Sequence, residues 1–158
     1  MSESAANLQI RNALIDNYNA YAEGIDSKNW PLVRSCFTDE IYIDYGAISA
    51  PTGDPTVTRK ADDWLLLLQD VINRFDITRH TITNHRVLIN ENVVSCRAYL
   101  IADHVKFQDP AVPYVGPDDV VTAVGEYTNT YLREGEHWKI RRSELVINWT
   151  SGNLALMP

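Results

Sequence analysis

The second half of the chain is what most restricts the fold. Residues 78–89 and 93–107 are rich in Val, Ile, Tyr and Thr, and only Asn90, Glu91 and Asn92 separate them. β-branched and aromatic residues suit a pleated sheet, and a short polar break is enough to turn one strand back along the next. The pair therefore predicts a long antiparallel hairpin. Residues 119–133 and 137–149 repeat the arrangement around Glu134, Gly135 and Glu136. Between the two pairs, residues 108–118 hold Pro110, Pro113, Gly116 and Pro117, which a central strand does not tolerate. That stretch is read as an excursion from the sheet.

The first half reads differently. Over residues 7–25 the larger apolar side chains are Leu8, Leu14, Ile15, Tyr18, Tyr21 and Ile25, with Ala22 beside them, which is the spacing of one helical stripe. Asp26, Ser27 and Lys28 form a turn, and Asn29 caps a short helix with Pro31 in its first turn and Leu32, Val33, Cys36 and Phe37 as apolar residues. Residues 40–45 alternate Ile41, Ile43 and Tyr45 against Glu40, Tyr42 and Asp44, a strand that Gly46 ends. Residues 47–57, with Pro51, Gly53 and Pro55, are expected to be a loop, and Thr58 to cap a third helix through Trp64, Leu67, Leu68, Val71 and Ile72. Helices first and long antiparallel strands later imply an α+β fold with three N-terminal helices on one face of a strongly curved sheet. Such a cone has an open end, and alternate residues of its strands point into the pocket.

At 158 residues, with 45% hydrophobic and 22% charged residues, the chain is expected to form a single globular domain over 1–158. Its longest aliphatic run, Leu65, Leu66, Leu67 and Leu68, falls far short of the ~20 residues that cross a bilayer, so no membrane partner is expected. Met1, Ser2, Glu3 and Ser4 lack the basic-then-apolar layout of a secretory signal, so a cytoplasmic location is expected, with Cys36 and Cys96 as separate buried thiols. A formal charge of −7 argues against nucleic acid, since the densest basic group, Lys139, Arg141 and Arg142, merely alternates along a strand.

No dinucleotide, phosphate-loop, nucleophile-elbow or HExxH motif is present. His80 and His85 stand an odd number of positions apart, so on a regular strand they face opposite sides, with His85 on the outer one. Neither a metal nor a cofactor is expected. What remains is a set of polar residues in apolar surroundings: Asp26, Tyr45, His80 and His104, with Tyr127 and Asn129 later. A carboxylate that holds a histidine fixes its tautomer and makes a general base near neutral pH, and a tyrosine hydroxyl nearby can polarise a carbonyl or hold a water. Each residue has a structural reading as well. Asp26 can close a helix, His80 can be a satisfied core histidine, and Tyr45 and Tyr127 can be ordinary strand aromatics.

Ile25-Asp26-Ser27-Lys28-Asn29-Trp30, the strand Ile43-Asp44-Tyr45, Arg79-His80-Thr81, and the final strand from Trp138-Lys139-Ile140 to Trp149 together resemble the scytalone dehydratase and SnoaL-like family of the NTF2-like superfamily. The resemblance runs from the first helix to the last strand and implies an NTF2-like cone. It implies a dyad of a helix-end aspartate, Asp26, and a strand histidine, His80, with Tyr45 polarising a carbonyl and His104 as a second histidine. The family's second tyrosine would stand where this chain has Ile25. Its serine and asparagine fall near Gly125 and Tyr127, with Asn129 nearby. Tyr127, Asn129 and Trp149 are the expected substrate contacts. Hexachlorocyclohexane dehydrochlorinase also resembles the chain through an Asp/His dyad, without counterparts here for its lysine and arginine.

The implied activity is that of a cofactor-independent lyase or isomerase, dehydratase-like, on a cyclic or polyketide-like small molecule. The alternatives are a non-catalytic binding module, or an epoxide hydrolase or cyclase, which needs more carboxylates than these strands supply. Trp149 and the apolar tail from Leu154 to Met157 either cap the pocket or pack on a neighbour, and a homo-oligomer is expected, a trimer by the resemblance.

Overall fold

The structure is a computed structural model that describes residues 3–49 and 56–157. Helix α1 (Ala5–Asp26) starts where the Ser4 hydroxyl accepts the Asn7 amide at 3.1 Å, and its stripe buries Leu14, Tyr18, Tyr21 and Ile25. The turn after it places Lys28 at φ 55°, and the Asn29 side chain then accepts the Leu32 amide to open α2 (Trp30–Ser35). Pro31 sits in the first turn of α2, where an N–H has no intrahelical partner to lose. Strand β1 (Phe37–Asp44) follows. Its alternation is weaker than the sequence suggests, because Tyr42 is buried along with Ile41 and Ile43, under the Arg142 guanidinium 4.3 Å from its ring.

Helix α3 (Ala61–Ile72) begins later than expected and Thr58 does not cap it. A two-residue strand, β2 (Arg59–Lys60), pairs with β1 first, and Asp62 and Asp63 then sit in the first helical turn, where the helix dipole favours negative charge. Of the loop expected over 47–57, residues 50–55 lie outside the described residues. Strands β3 (Ile77–Ile89), β4 (Val94–Val105), β5 (Val120–Glu134) and β6 (His137–Gly152) run antiparallel, and β1 joins β6 in parallel, giving the order β2-β1-β6-β5-β4-β3. The three helices pack against this curled, unclosed sheet, which is the cone that the resemblance implied. Its core includes Leu14, Tyr18, Phe37, Ile41, Trp64 and Leu100. Cys36 and Cys96 are buried free thiols, and no helix among the described residues is long and apolar enough to cross a membrane.

Several bulges change which side chains reach the concave face, and two of them act at candidate site residues. Thr83 pairs with Tyr99 but Arg86 with Arg97, so three steps on β3 match two on β4, with Asn84 at φ 56°. The extra residue reverses the parity beyond it. His85, expected on the outer face, consequently turns inward and meets the Tyr18 ring at 5.3 Å. The second bulge is on β6: Val124 pairs with Trp149 and Gly125 with Ile147, leaving Asn148 as the added residue. Gly125 makes it possible, since a Cβ there would drive into the Val146 carbonyl oxygen. Replacing Gly125 with Ala should therefore destabilise the fold by about 2 kcal/mol in a urea titration, as overpacking against backbone does. An unchanged midpoint would mean that β6 shifts freely and the bulge does not depend on this glycine.

Candidate functional site

At the end of α1 the chain leaves the helix with the Asp26 carboxylate directed at β3. One oxygen, Oδ1, accepts from His80 Nδ1 at 2.7 Å and from the Thr78 hydroxyl at 2.9 Å, while Oδ2 accepts the His80 backbone amide at 2.9 Å. Thr78 and His80 are two apart on one strand, so both face the helix end. Burial works against the charged carboxylate, but the hydrogen bonds from His80, its charge and the bond from Thr78 outweigh it and hold Asp26 below the ordinary carboxylate value. A carboxylate opposite Nδ1 keeps the proton on that nitrogen and leaves Nε2 with its lone pair. The His80 and Asp26 side chains are 6% and 12% exposed, so water competes little for the pair.

His104, on β4, lies one strand over, with its ring 5.5 Å from that of His80 and 5.0 Å from that of Phe75. Burial first, and the charge of His80 second, push its pKa down to about 4, so His104 is neutral at neutral pH. Tyrosines make up much of the remaining polar lining. Tyr45 meets Tyr21 at 3.2 Å and Ser143 at 2.9 Å through its hydroxyl, and its ring stands edge-on to buried Trp64. Burial raises Tyr45 to about 12, and raises Tyr21 and Tyr127 well above their ordinary value, so all three hydroxyls keep their protons.

These walls enclose a pocket. Its polar lining is Tyr21, Tyr45, His80, His104, Tyr127 and Thr150, and the remainder is mostly aliphatic, including Ile25, Leu68, Ile72 and Leu100. An apolar lining with a few convergent polar groups is the common form of a small-molecule site. The enclosed volume is about 100 Å³, less than the ~150 Å³ that takes up a benzene molecule. Met157, from the 3₁₀ turn Leu154–Leu156 and its end, is the lining residue contributed by the C-terminal tail, and it packs with Leu156 against Val71, Phe75 and Val121.

Of the residues singled out in the sequence, Asp26 and His80 are in direct contact, and His80, Tyr45, His104 and Tyr127 line one pocket. Asn129 does not line it. It stands one layer behind, where its Oδ1 accepts from Ser143 at 2.6 Å. Trp149 is also outside: the β6 bulge sends it to the outer face, 60% exposed, and brings Thr150 to the pocket instead. Besides Thr150, the sequence reading leaves out three participants. Thr78 was available from strand parity and Tyr21 from its place one turn before Ile25 on the α1 stripe. Ser143 had no local signal, because only the pairing of β5 with β6 sets it opposite Asn129. Among the described residues, no three His, Cys, Asp or Glu side chains are grouped as a metal site.

A family model described as a SnoaL-like domain matches residues 6–144. No curated protein matches the chain. Among solved structures, the Kfla4162 protein of Kribbella flavida is 26% identical with a TM-score of 0.79, over 95% of this chain and 97% of that one. A proposed scytalone dehydratase of Novosphingobium aromaticivorans is 18% identical with a TM-score of 0.70, over 93% of each chain. A hexachlorocyclohexane dehydrochlorinase of type 2 is 20% identical with a TM-score of 0.69, over 92% of this chain and 90% of that one. At these last two identities the likeness is one of fold.

Proposed function

The chain belongs to the SnoaL-like domain family, and on that footing we propose that it is a cofactor-independent lyase or isomerase acting on a cyclic or polyketide-like small molecule. The observation that carries this reading is the Asp26–His80 pair at the wall of an apolar pocket, with Nδ1 held by the carboxylate at 2.7 Å. In the proposed reaction His80 Nε2 takes a proton from a carbon beside a carbonyl, and the C–H electron pair passes into the enolate. Where the adjacent carbon carries a hydroxyl, that group takes the proton and leaves as water while a C=C bond forms. Where it does not, the proton returns to another carbon and the product is an isomer. Asp26 stabilises the imidazolium formed in between, and His104, neutral and close by, adds a hydrogen-bonding group without adding charge.

The pair is testable without a substrate. In the wild type, ¹⁵N NMR of His80 should show one tautomer, protonated at Nδ1, and Asp26→Asn should give a mixture because the carboxylate that selects the tautomer is gone. A tautomer mixture in the wild type would remove the basis for the dyad. Turnover is then sought as solvent deuterium uptake by cyclic ketones beside their carbonyl. Binding of such ketones with no uptake would favour the binding module over the enzyme.

A further inference from the structure

We infer that Ser143 and Asn129, neither of which lines the pocket, set the direction of the Tyr45 hydroxyl, so that Tyr127 rather than Tyr45 is the hydroxyl free to donate to a ligand oxygen. The Asn129 side chain touches Ser143 Oγ at 2.6 Å and the Tyr131 hydroxyl at 3.3 Å. A contact of 2.6 Å is short for N–H···O and ordinary for O–H···O, so the atom facing Ser143 is the amide oxygen and the NH₂ faces Tyr131. An amide oxygen only accepts, hence the one proton of Ser143 is directed to Asn129.

Ser143 Oγ is also 2.9 Å from the Tyr45 hydroxyl, and with its own proton engaged it can only accept there, so Tyr45 donates to Ser143. Tyr45 in turn has no second proton, so its 3.2 Å contact with Tyr21 requires Tyr21 as donor. Tyr127 shares a side-chain hydrogen bond with Tyr21, and toward it Tyr21, with its proton engaged at Tyr45, can then only accept. The proton of Tyr127 is the one proton of the series left for Tyr21 or for a ligand. Ser143, at 0% exposure, and Asn129, at 2%, are sealed from solvent, so water does not scramble the direction. Asn129 and Ser143 are thus positioning residues, and an acceptor oxygen of the ligand belongs at Tyr127.

The role of Tyr127 rests on the reading that this pocket holds the reacting ligand, whereas the direction of the series does not. Neutron diffraction from deuterium-exchanged, ligand-free crystals reads that direction. The deuteron of Tyr45 should lie toward Ser143 Oγ, that of Ser143 toward Asn129 Oδ1, and that of Tyr21 toward Tyr45. A Tyr45 deuteron aimed at Tyr21 or into the cavity overturns the inference. In Ser143→Ala it should turn to one of those two places, and an unmoved deuteron would also overturn it. With cyclohex-2-enone as probe, Tyr127→Phe should weaken binding about tenfold and Tyr45→Phe about threefold or less. The reverse order overturns the assignment of Tyr127. If the wild type binds no enone, the reading of the pocket fails, and the deuteron positions still decide the direction.

Discussion

Replacing His80 with Ala is expected to lower turnover of a cyclic carbonyl substrate at least about 100-fold, close to 2.7 kcal/mol of transition-state stabilisation. The loss is large because the pocket offers no second base in the same state. His104 is neutral at neutral pH, but its pKa near 4 makes it a weak proton acceptor, and the tyrosine hydroxyls are held protonated by burial. The substitution should spare the fold, since Asp26 keeps two of its donors, the Thr78 hydroxyl and the residue-80 amide. Steady-state rates with thermal unfolding as a control make the comparison. A rate within about threefold of the wild type, in a protein equally well folded, would take the general base away from His80.

The second large effect is on stability. Between pH 6.5 and pH 4 the unfolding free energy should fall by about 3 kcal/mol on account of His104 alone. In that window the unfolded chain carries a proton on His104 and the folded protein does not, so acid favours the unfolded state. The contribution is complete above about pH 6.5 and the slope ends near pH 4. His85, whose pKa burial also lowers, acts in the same direction, while Asp26, held below its ordinary value of 3.8, costs stability only at lower pH. Urea titrations of the wild type and His104→Gln at pH 7 and pH 4.5 separate the terms. The variant should lose clearly less stability on acidification, and equal losses would mean that the buried imidazole is not the group responsible.

The two effects come from adjoining residues with different surroundings. His80 has a carboxylate at 2.7 Å, whereas His104 has Phe75 and another imidazole beside it. A pair of histidines in one pocket is thereby divided into one suited to take a proton and one that stays neutral. The tyrosine wall completes the division, because its protons are assigned by Asn129 and Ser143 behind it.

Much of this was legible in the chain before any tertiary contact was known. Each strand pair announced itself through β-branched residues bounded by short polar turns, and α1 through the stripe from Leu14 to Ile25. Those signals are local, and burial on one face of a helix or strand enforces them. Asp26 and His80 were accessible for a related reason: a helix end and a strand position are set by local structure, and the family resemblance joined them. What the tertiary structure alone decided is where parity breaks. His85 faces inward and Trp149 outward because Asn84 and Asn148 are extra residues in one strand of a pair. A bulge is a property of two strands in register and leaves no period in either sequence. The link from Asn129 to Ser143 has the same origin: the residues lie 14 apart in the chain and meet only when β5 and β6 pair. The sequence thus determined the elements and the dyad, while strand pairing determined which side chains stand behind the pocket and how its hydroxyls point.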